Sequence, residues 1–216
     1  MSLTAEKAEI IGALFGDKSL FGFYPRYGHY KGTDYSRYKR GVVRISLGKD
    51  KEWGQRLSDL TFASYGIRGC VSRDTREWVF RVDSGRVVRD LMNWYDPSWD
   101  CHTWRVNPQI LVASNEAKLG LLRGYCDADG SPVFNKSRQQ PLIKIESVNH
   151  DGLQEIDRIF QQLGYTSHLW RESKTRGSWG LYLTRFQDIQ RFYQEIGFSI
   201  IRKQLRLSEI LSYRGN

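Results

Sequence analysis

"GYCDADGSP" (residues 124–132) decides how this chain is read, because the same pattern occurs earlier as "GALFGDKSL" (residues 12–20). Both run glycine, three residues, a small residue, aspartate, one residue, serine. The pairs are Gly12 with Gly124, Gly16 with Ala128, Asp17 with Asp129, and Ser19 with Ser131. In each case the residues upstream read as a helix, so each aspartate falls at a helix C-terminus, where the macrodipole is already negative. Something positive must offset the acids there.

Working outward, the repeat continues. "VVRISLGKDKEWGQRLSDLTFASYGI" (42–67) parallels "LIKIESVNHDGLQEIDRIFQQLGYT" (142–166): an alternating strand, a polar turn, an amphipathic helix, a glycine. "EWVFRVDSGRVVRDLMNW" (77–94) parallels "SWGLYLTRFQDIQRFYQEIG" (178–197), a strand running into a helix. Turn-rich stretches at 25–35, 72–77, 135–141 and 171–178 separate the strands. Each half therefore reads helix, strand, strand, helix, strand, strand, helix. The expected fold class is α+β, two pseudo-symmetric αββαββα halves, with 1–96 and 117–216 as the halves and 97–116 as the linker. A period near 100 residues seen twice is a duplication and not a solenoid.

Glycines four apart lie on one helix face, and small residues there let two helix backbones approach closely. The two motif helices should then cross as the seam between halves, with Asp17 and Asp129 emerging side by side. Neighbouring carboxylates repel and raise at least one pKa unless a cation sits between them. A divalent ion such as Mg²⁺ takes carboxylate and carbonyl oxygens and keeps positions for water and phosphate. An EF-hand does not fit: a 12-residue loop from Asp127 would end in Glu, and here it ends at Arg138. The remaining alternative, two ordinary helix ends, leaves the matched spacing unexplained.

Composition narrows the partner. The 216 residues carry 33 Lys plus Arg against 24 Asp plus Glu, a net charge of +9, which favours a polyanionic partner. The three cysteines (Cys70, Cys101, Cys126) form no CxxC pair, and His29, His102, His150 and His168 have no ligand spacing, so neither a zinc site nor a disulfide framework is expected. No apolar run reaches membrane-spanning length and the N-terminus has no signal-peptide core. The expectation is no membrane partner and a place in the cytoplasm with the nucleoid, or in an organellar matrix, without secretion.

The basic residues cluster with aromatics, a combination that favours nucleic acid. "YPRYGHYKGTDYSRYKR" (24–40) sets Arg26, His29, Lys31, Arg37, Lys39 and Arg40 among tyrosines, Tyr27 included. Arg can read guanine edges and phosphates, and Tyr adds contacts and stacking. In the next strand Arg40, Val42, Arg44 and Ser46 should face DNA, with Val43 and Ile45 on the core. Lys136, Arg138, Gln140 and Lys144 fill the matching hairpin, and Arg73, Arg81, Arg171, Lys174 and Arg176 the later ones. Trp53, Trp78, Trp94 and Trp179 read as core.

The paired motifs resemble those of the LAGLIDADG homing endonucleases in their two-motif, single-chain form. "LRGYCDADG" (122–130) is close to the family signature. "IIGALFGDK" (10–18) keeps the small residues and the acid but has Lys18 where the family usually carries glycine. The resemblance implies strands forming a saddle over double-stranded DNA, a monomer, and hydrolysis that breaks both strands of a long asymmetric target. It implies Mg²⁺ (with Mn²⁺ or Ca²⁺ able to substitute for binding) held by Asp17 and Asp129 and by the carbonyls of Gly16 and Ala128. It also implies auxiliary polar residues around the metals. The position near Leu47 and Gly48 lacks one, so Lys49 is the nearest candidate, with Asn149 as its counterpart and Arg86 and Arg185 where the family often has lysine. Those departures keep a second reading in view: a weakened relative acting as a splicing maturase with intron RNA, or a non-cleaving DNA- or RNA-binding protein.

Overall fold

The computed structural model describes residues 3–30, 33–137, 139–172 and 177–213, with the backbone alone for 26–30 and 33–38. The first half contains α1 (Ala5–Asp17), β1 (Lys18–Tyr30), β2 (Thr33–Gly48), α2 (Lys51–Tyr65), β3 (Cys70–Asp74), β4 (Glu77–Asp83) and α3 (Gly85–Leu91). A short helix, α4 (Pro108–Leu111), lies in the connection. The second half contains α5 (Asn115–Asp129), β5 (Gly130–Asn135), β6 (Gln140–Ser147), α6 (His150–Gln162), β7 (Ser167–Arg171), β8 (Trp179–Leu183) and α7 (Phe186–Arg191). A π-helical turn, Phe192–Ile196, extends α7, and a further helix, α8 (Ile201–Ser212), follows. The two antiparallel sheets have the same order, β1-β2-β4-β3 and β5-β6-β8-β7. The α+β class and the duplicated αββαββα plan are thus present. Helix α8 is an addition that the repeat does not contain.

Thr4 and Ser114 cap α1 and α5 by accepting from Lys7 N and Ala117 N, which satisfies backbone donors that a helix start leaves open. The two helices then cross at backbone contact. A Cβ on Gly12 would lie 2.1 Å from the Leu121 carbonyl oxygen, and one on Gly124 would lie 1.9 Å from that of Glu9. A Cβ on Gly16 would lie 2.3 Å from the Ala128 Cβ. Gly120 meets the Ala5 carbonyl in the same way, a fourth seam glycine outside the repeated pattern. Glu9, buried in this seam, accepts two hydrogen bonds from the Arg56 guanidinium, with Arg123 at 3.6 Å.

One continuous core runs through both halves and the connection. Phe15 stacks on Trp104 at 4.8 Å, and Tyr95 and Tyr125 close around the pair. The aperiodic connecting segment is therefore packed into the domain through its aromatic residues. Trp53 and Trp94 are buried, and Trp78 and Trp179 pack against the core's edge. Val43, Ile45 and Leu47 join the core, as alternation requires, and Arg44 and Ser46 face away from it. Val42 is also buried, but outside that core, on the face it shares with Arg44.

Candidate active site and nucleic-acid interface

The helix crossing delivers Asp17 and Asp129 to one place, since a Cβ on Gly16 would lie 3.2 Å from the Asp129 carboxylate. Burial pushes the Asp17 carboxyl up to about 6; Lys203 pulls it back, and Glu77 and Asp50 add to the rise. Burial pushes Asp129 up to about 7, Asp17 adds to that, and Lys203 and the Tyr125 hydroxyl oppose it. That hydroxyl is buried without a well-formed hydrogen bond among the described residues. The expected repulsion between the two acids shows at Asp129, with burial the larger cause at both. Two half-buried hard-oxygen ligands that resist ionisation suit a divalent cation. Among the described residues no three His, Cys, Asp or Glu come together in a group that could hold a metal ion.

Sequence reading missed what lies next to them. Lys203 of α8 donates from Nζ to the carbonyls of Cys126, Asp127 and Ala128 at 3.3, 2.5 and 3.2 Å. A cation thus meets the negative end of α5, and the positive charge demanded by the motif is supplied in part by the chain itself. Of the carbonyls expected to help hold metal, that of Ala128 therefore already accepts from Lys203. Asp127 plays a different part. Its buried carboxylate accepts from Ser199 N at 2.9 Å, Ile200 N at 3.2 Å and the Ser199 hydroxyl. It fastens the start of α8. Arg202 then reaches across to the first half, donating twice at 2.7 Å to the buried Asp50 carboxylate. No spacing rule signals these contacts, because Asp127 and Lys203 are 76 residues apart.

The site opens on two sides. One cleft, of about 330 Å³, is lined by Asp17, Ser46, Lys49, Asp50, Arg202 and Lys203 among others. The other, about 250 Å³, is lined by Asp129, Gly16, Cys101, Trp104, Glu146 and Ser178 among others. Of the auxiliary candidates, Lys49 shares a cleft with Asp17. Asn149 does not serve there: its side chain is buried, accepts from Gly152 N and donates to the Trp104 carbonyl, capping α6. Arg86 and Arg185 are also displaced. Trp78 pairs with Gly48 near Asp17, but β4 then runs away to Asp83, opposite Val42, and Arg86 follows in α3. Strand β8 likewise runs from Trp179, opposite Ser147, to Leu183, opposite Ile143, carrying Arg185 off. Lys18 turns its ammonium to the carbonyls of Pro97 and Trp99 and leaves the site clear.

Register sorts the basic residues. Arg40, Arg44, Arg81 and Lys144 lie on the outer sheet faces, held by Asp83, Asp74, Asp83, and Glu146 with Glu172, respectively. Arg73 and Arg171 do not. Arg73 pairs with Trp78 and Arg171 with Trp179, and directly paired residues share a face, here the side of the core. Lys136 is exposed in the β5–β6 turn, and Gln140 donates to the Thr184 carbonyl. The side chains of Arg26, Tyr27, His29 and Arg37, and the residues Lys31, Arg138, Lys174 and Arg176, lie outside what the structure describes. Trp170, not anticipated, stands 63% exposed on the outer face of β7.

Residues 116–197 match the LAGLIDADG-like domain, and over as much as 97% of its length the chain has the fold of the single-chain LAGLIDADG homing endonucleases. I-DmoI in complex with DNA and Ca superposes with a TM-score of 0.62 at 15% identity, covering 97% of this chain and 100% of that one. The LAGLIDADG homing endonuclease I-GzeII in complex with its DNA target gives 0.58 at 10% identity, covering 95% and 89%. Among curated proteins, two described as DNA polymerase are similar. That of Thermococcus litoralis is 24% identical over 212 residues, and that of Thermococcus hydrothermalis 24% over 210. The match takes in 94% of this chain in both cases, but the chain spans only 11% and 12% of those proteins' lengths.

Proposed function

We propose that the chain is a monomeric, site-specific DNA endonuclease that hydrolyses both strands of a long target with Mg²⁺ or a similar divalent ion. The observation that carries this is the pair Asp17 and Asp129, brought together by a backbone-close helix crossing and both resisting ionisation. Asp17 and Asp129, with the Gly16 carbonyl, would hold the metal. When bound, it would activate water and stabilise charge at phosphorus and on the leaving 3′ oxygen. Lys203 and Arg202 hold α8 against both halves, keeping the acids' approach fixed. Lys49 faces the same cleft as a phosphate contact. Arg40, Arg44, Arg81 and Lys144, whose present acidic partners would be exchanged for phosphates or base edges, line the duplex side. Similarity confined to about a tenth of long polymerase polypeptides supports an endonuclease module carried within a host reading frame, the intein type of homing.

The test is incubation of the protein with a randomised plasmid library in Mg²⁺, with sequencing of the ends. One discrete double-strand break position supports the reading. Sequence-specific DNA binding without any cut would favour the non-cleaving alternative.

A further inference from the structure

Arg86, which does not reach the aspartates, lines instead a cleft of about 450 Å³ between α1, α2 and α3, with Lys7, Ser64, Tyr65, Arg89 and Asp90 among its walls. The cleft lies on the helical side of the first sheet. Lys7 precedes Asp17 by ten residues of α1, roughly 15 Å along the axis at 1.5 Å per residue. A duplex on the outer strand faces would not enter it.

Its charges do not cancel. Asp90 is committed: it accepts from the Tyr65 hydroxyl at 2.7 Å and pairs with Lys7 at 2.9 Å. Lys7 lies over the Tyr65 ring at 5.1 Å and is fixed by the same cluster. Arg86 and Arg89 stand three apart on α3 and so share a face. Arg89 lies over the Phe23 ring at 5.8 Å. Arg86 is exposed and makes no hydrogen bond or ion pair among the described residues. Three cations therefore face one anion, and that anion is already paired. The Ser64 hydroxyl, in the same wall, is buried without a hydrogen-bond partner among the described residues, a situation that costs free energy unless a ligand completes it.

We infer that this cleft is a second anion site, taking a phosphate group through the Arg86 guanidinium, the Ser64 hydroxyl and the Arg89 and Lys7 cations. A planar guanidinium can bind two phosphate oxygens at once, and a hydroxyl supplies a third donor. The phosphate could belong to a free phosphorylated compound or to a nucleic-acid strand other than the one being cut; both present the same oxygens.

The experiment uses the full chain and the variants Arg86→Ala and Ser64→Ala, with Arg206→Ala, exposed on α8, as a control. Pyrophosphate is titrated by calorimetry, and a fluorescent single-stranded probe of about 15 nucleotides, the scale of a single-strand binding site, by anisotropy at fixed salt. Losing one charge-assisted pair should weaken pyrophosphate binding by about tenfold in Arg86→Ala, with a smaller loss in Ser64→Ala and none in Arg206→Ala. If the oligonucleotide weakens in parallel, the phosphate is that of a strand; if only pyrophosphate weakens, it is that of a small compound. Pyrophosphate that fails to bind the wild type, or binds Arg86→Ala equally well, overturns the site. Arg86 is exposed, so its truncation leaves the fold intact, and thermal melting confirms this for both cleft variants.

Discussion

The two halves share a plan and differ in what hangs from it. Strands β1 and β2 have 13 and 16 residues, whereas β5 and β6 have 6 and 8. At about 3.3 Å per residue the longer β2 reaches roughly 26 Å further than β6. The second half, in turn, owns α8, and with it Lys203 beside the acids. The corresponding part of the first half runs into the connecting segment, which brings Cys101 and Trp104 to the other cleft. Duplication thus supplies the seam and the paired aspartates, and divergence supplies reach on one side and a cation on the other. The target should be correspondingly asymmetric, with the first half contacting the longer arm.

The comparison breaks most sharply at what the halves have in common. Asp17→Asn and Asp129→Asn should each abolish double-strand cleavage, assayed on plasmid, while gel-shift affinity stays equal or rises because a negative group facing phosphate is lost. Cleavage of both strands at the wild-type rate by either variant would remove the acids from the mechanism.

What is unequal should show next. Lys203→Met should slow cleavage by roughly 100-fold, the scale of losing one positioned charged group. It should slow the two strands unequally, so that nicked circles accumulate. Lys203→Arg keeps the charge and should recover part of the rate. Uniform slowing of both strands, with no recovery by arginine, would make Lys203 a fold contact only.

The seam returns to symmetry. Gly12→Ala and Gly124→Ala each place a methyl against a backbone carbonyl, at 2.1 and 1.9 Å, and neither backbone can move without its helix. Each should cost about 2–3 kcal/mol in chemical denaturation. Similar losses at both positions confirm that the halves bear equally on the crossing; a neutral result at one would show that its helix can slide. Asp127→Asn should cost less, about 1–2 kcal/mol. Asparagine Oδ1 can still accept from the Ser199 and Ile200 amides, which share one carboxylate oxygen, so the acceptor lost is that of the Ser199 hydroxyl, and most cleavage should persist wherever the variant is folded.

How much of this was legible depends on distance along the chain. The duplicated pattern, the succession of elements along each half and the pairing of Asp17 with Asp129 follow from local periodicity and from small residues four apart. Strand parity was legible too, and applying it strictly would have removed Arg73 and Arg171 from the outer face, since each is paired with a core-side tryptophan. Asn149 carried a helix-cap signature, three residues before the Gly152 amide it accepts from, which competed with a catalytic role and won. Helix α8 was not legible. It lies outside the repeat, and its attachment through Asp127, Asp50 and three α5 carbonyls is made of contacts 72 to 152 residues apart. Exposure of Trp170 likewise follows from an edge strand having no neighbour to cover it.

The smallest expected effect is also the finest test of the difference between the acids. Asp17 is raised to about 6 and Asp129 to about 7, both above the ordinary carboxylate value, so the fold favours their protonated forms. The stabilising contribution of these groups is present below about pH 4, the unfolded value. It is lost as pH rises through 6 and 7. Metal-free protein should therefore become less stable from these two groups across that window, and divalent ions should offset the loss. Protons and metal compete for the same oxygens, so Ca²⁺ affinity measured by calorimetry should rise with pH up to about 7 and level off above it. Because Asp17 is part of what raises Asp129, Asp17→Asn should move the remaining midpoint to lower pH, even as it weakens the metal. Asp129→Asn should move the Asp17 midpoint less, since burial, Lys203, Glu77 and Asp50 dominate there. Following each remaining carboxyl by pH-dependent infrared bands in the two variants separates the cases. Equal midpoints in both variants, unshifted from the wild type, would mean that the two acids do not sense each other across the seam.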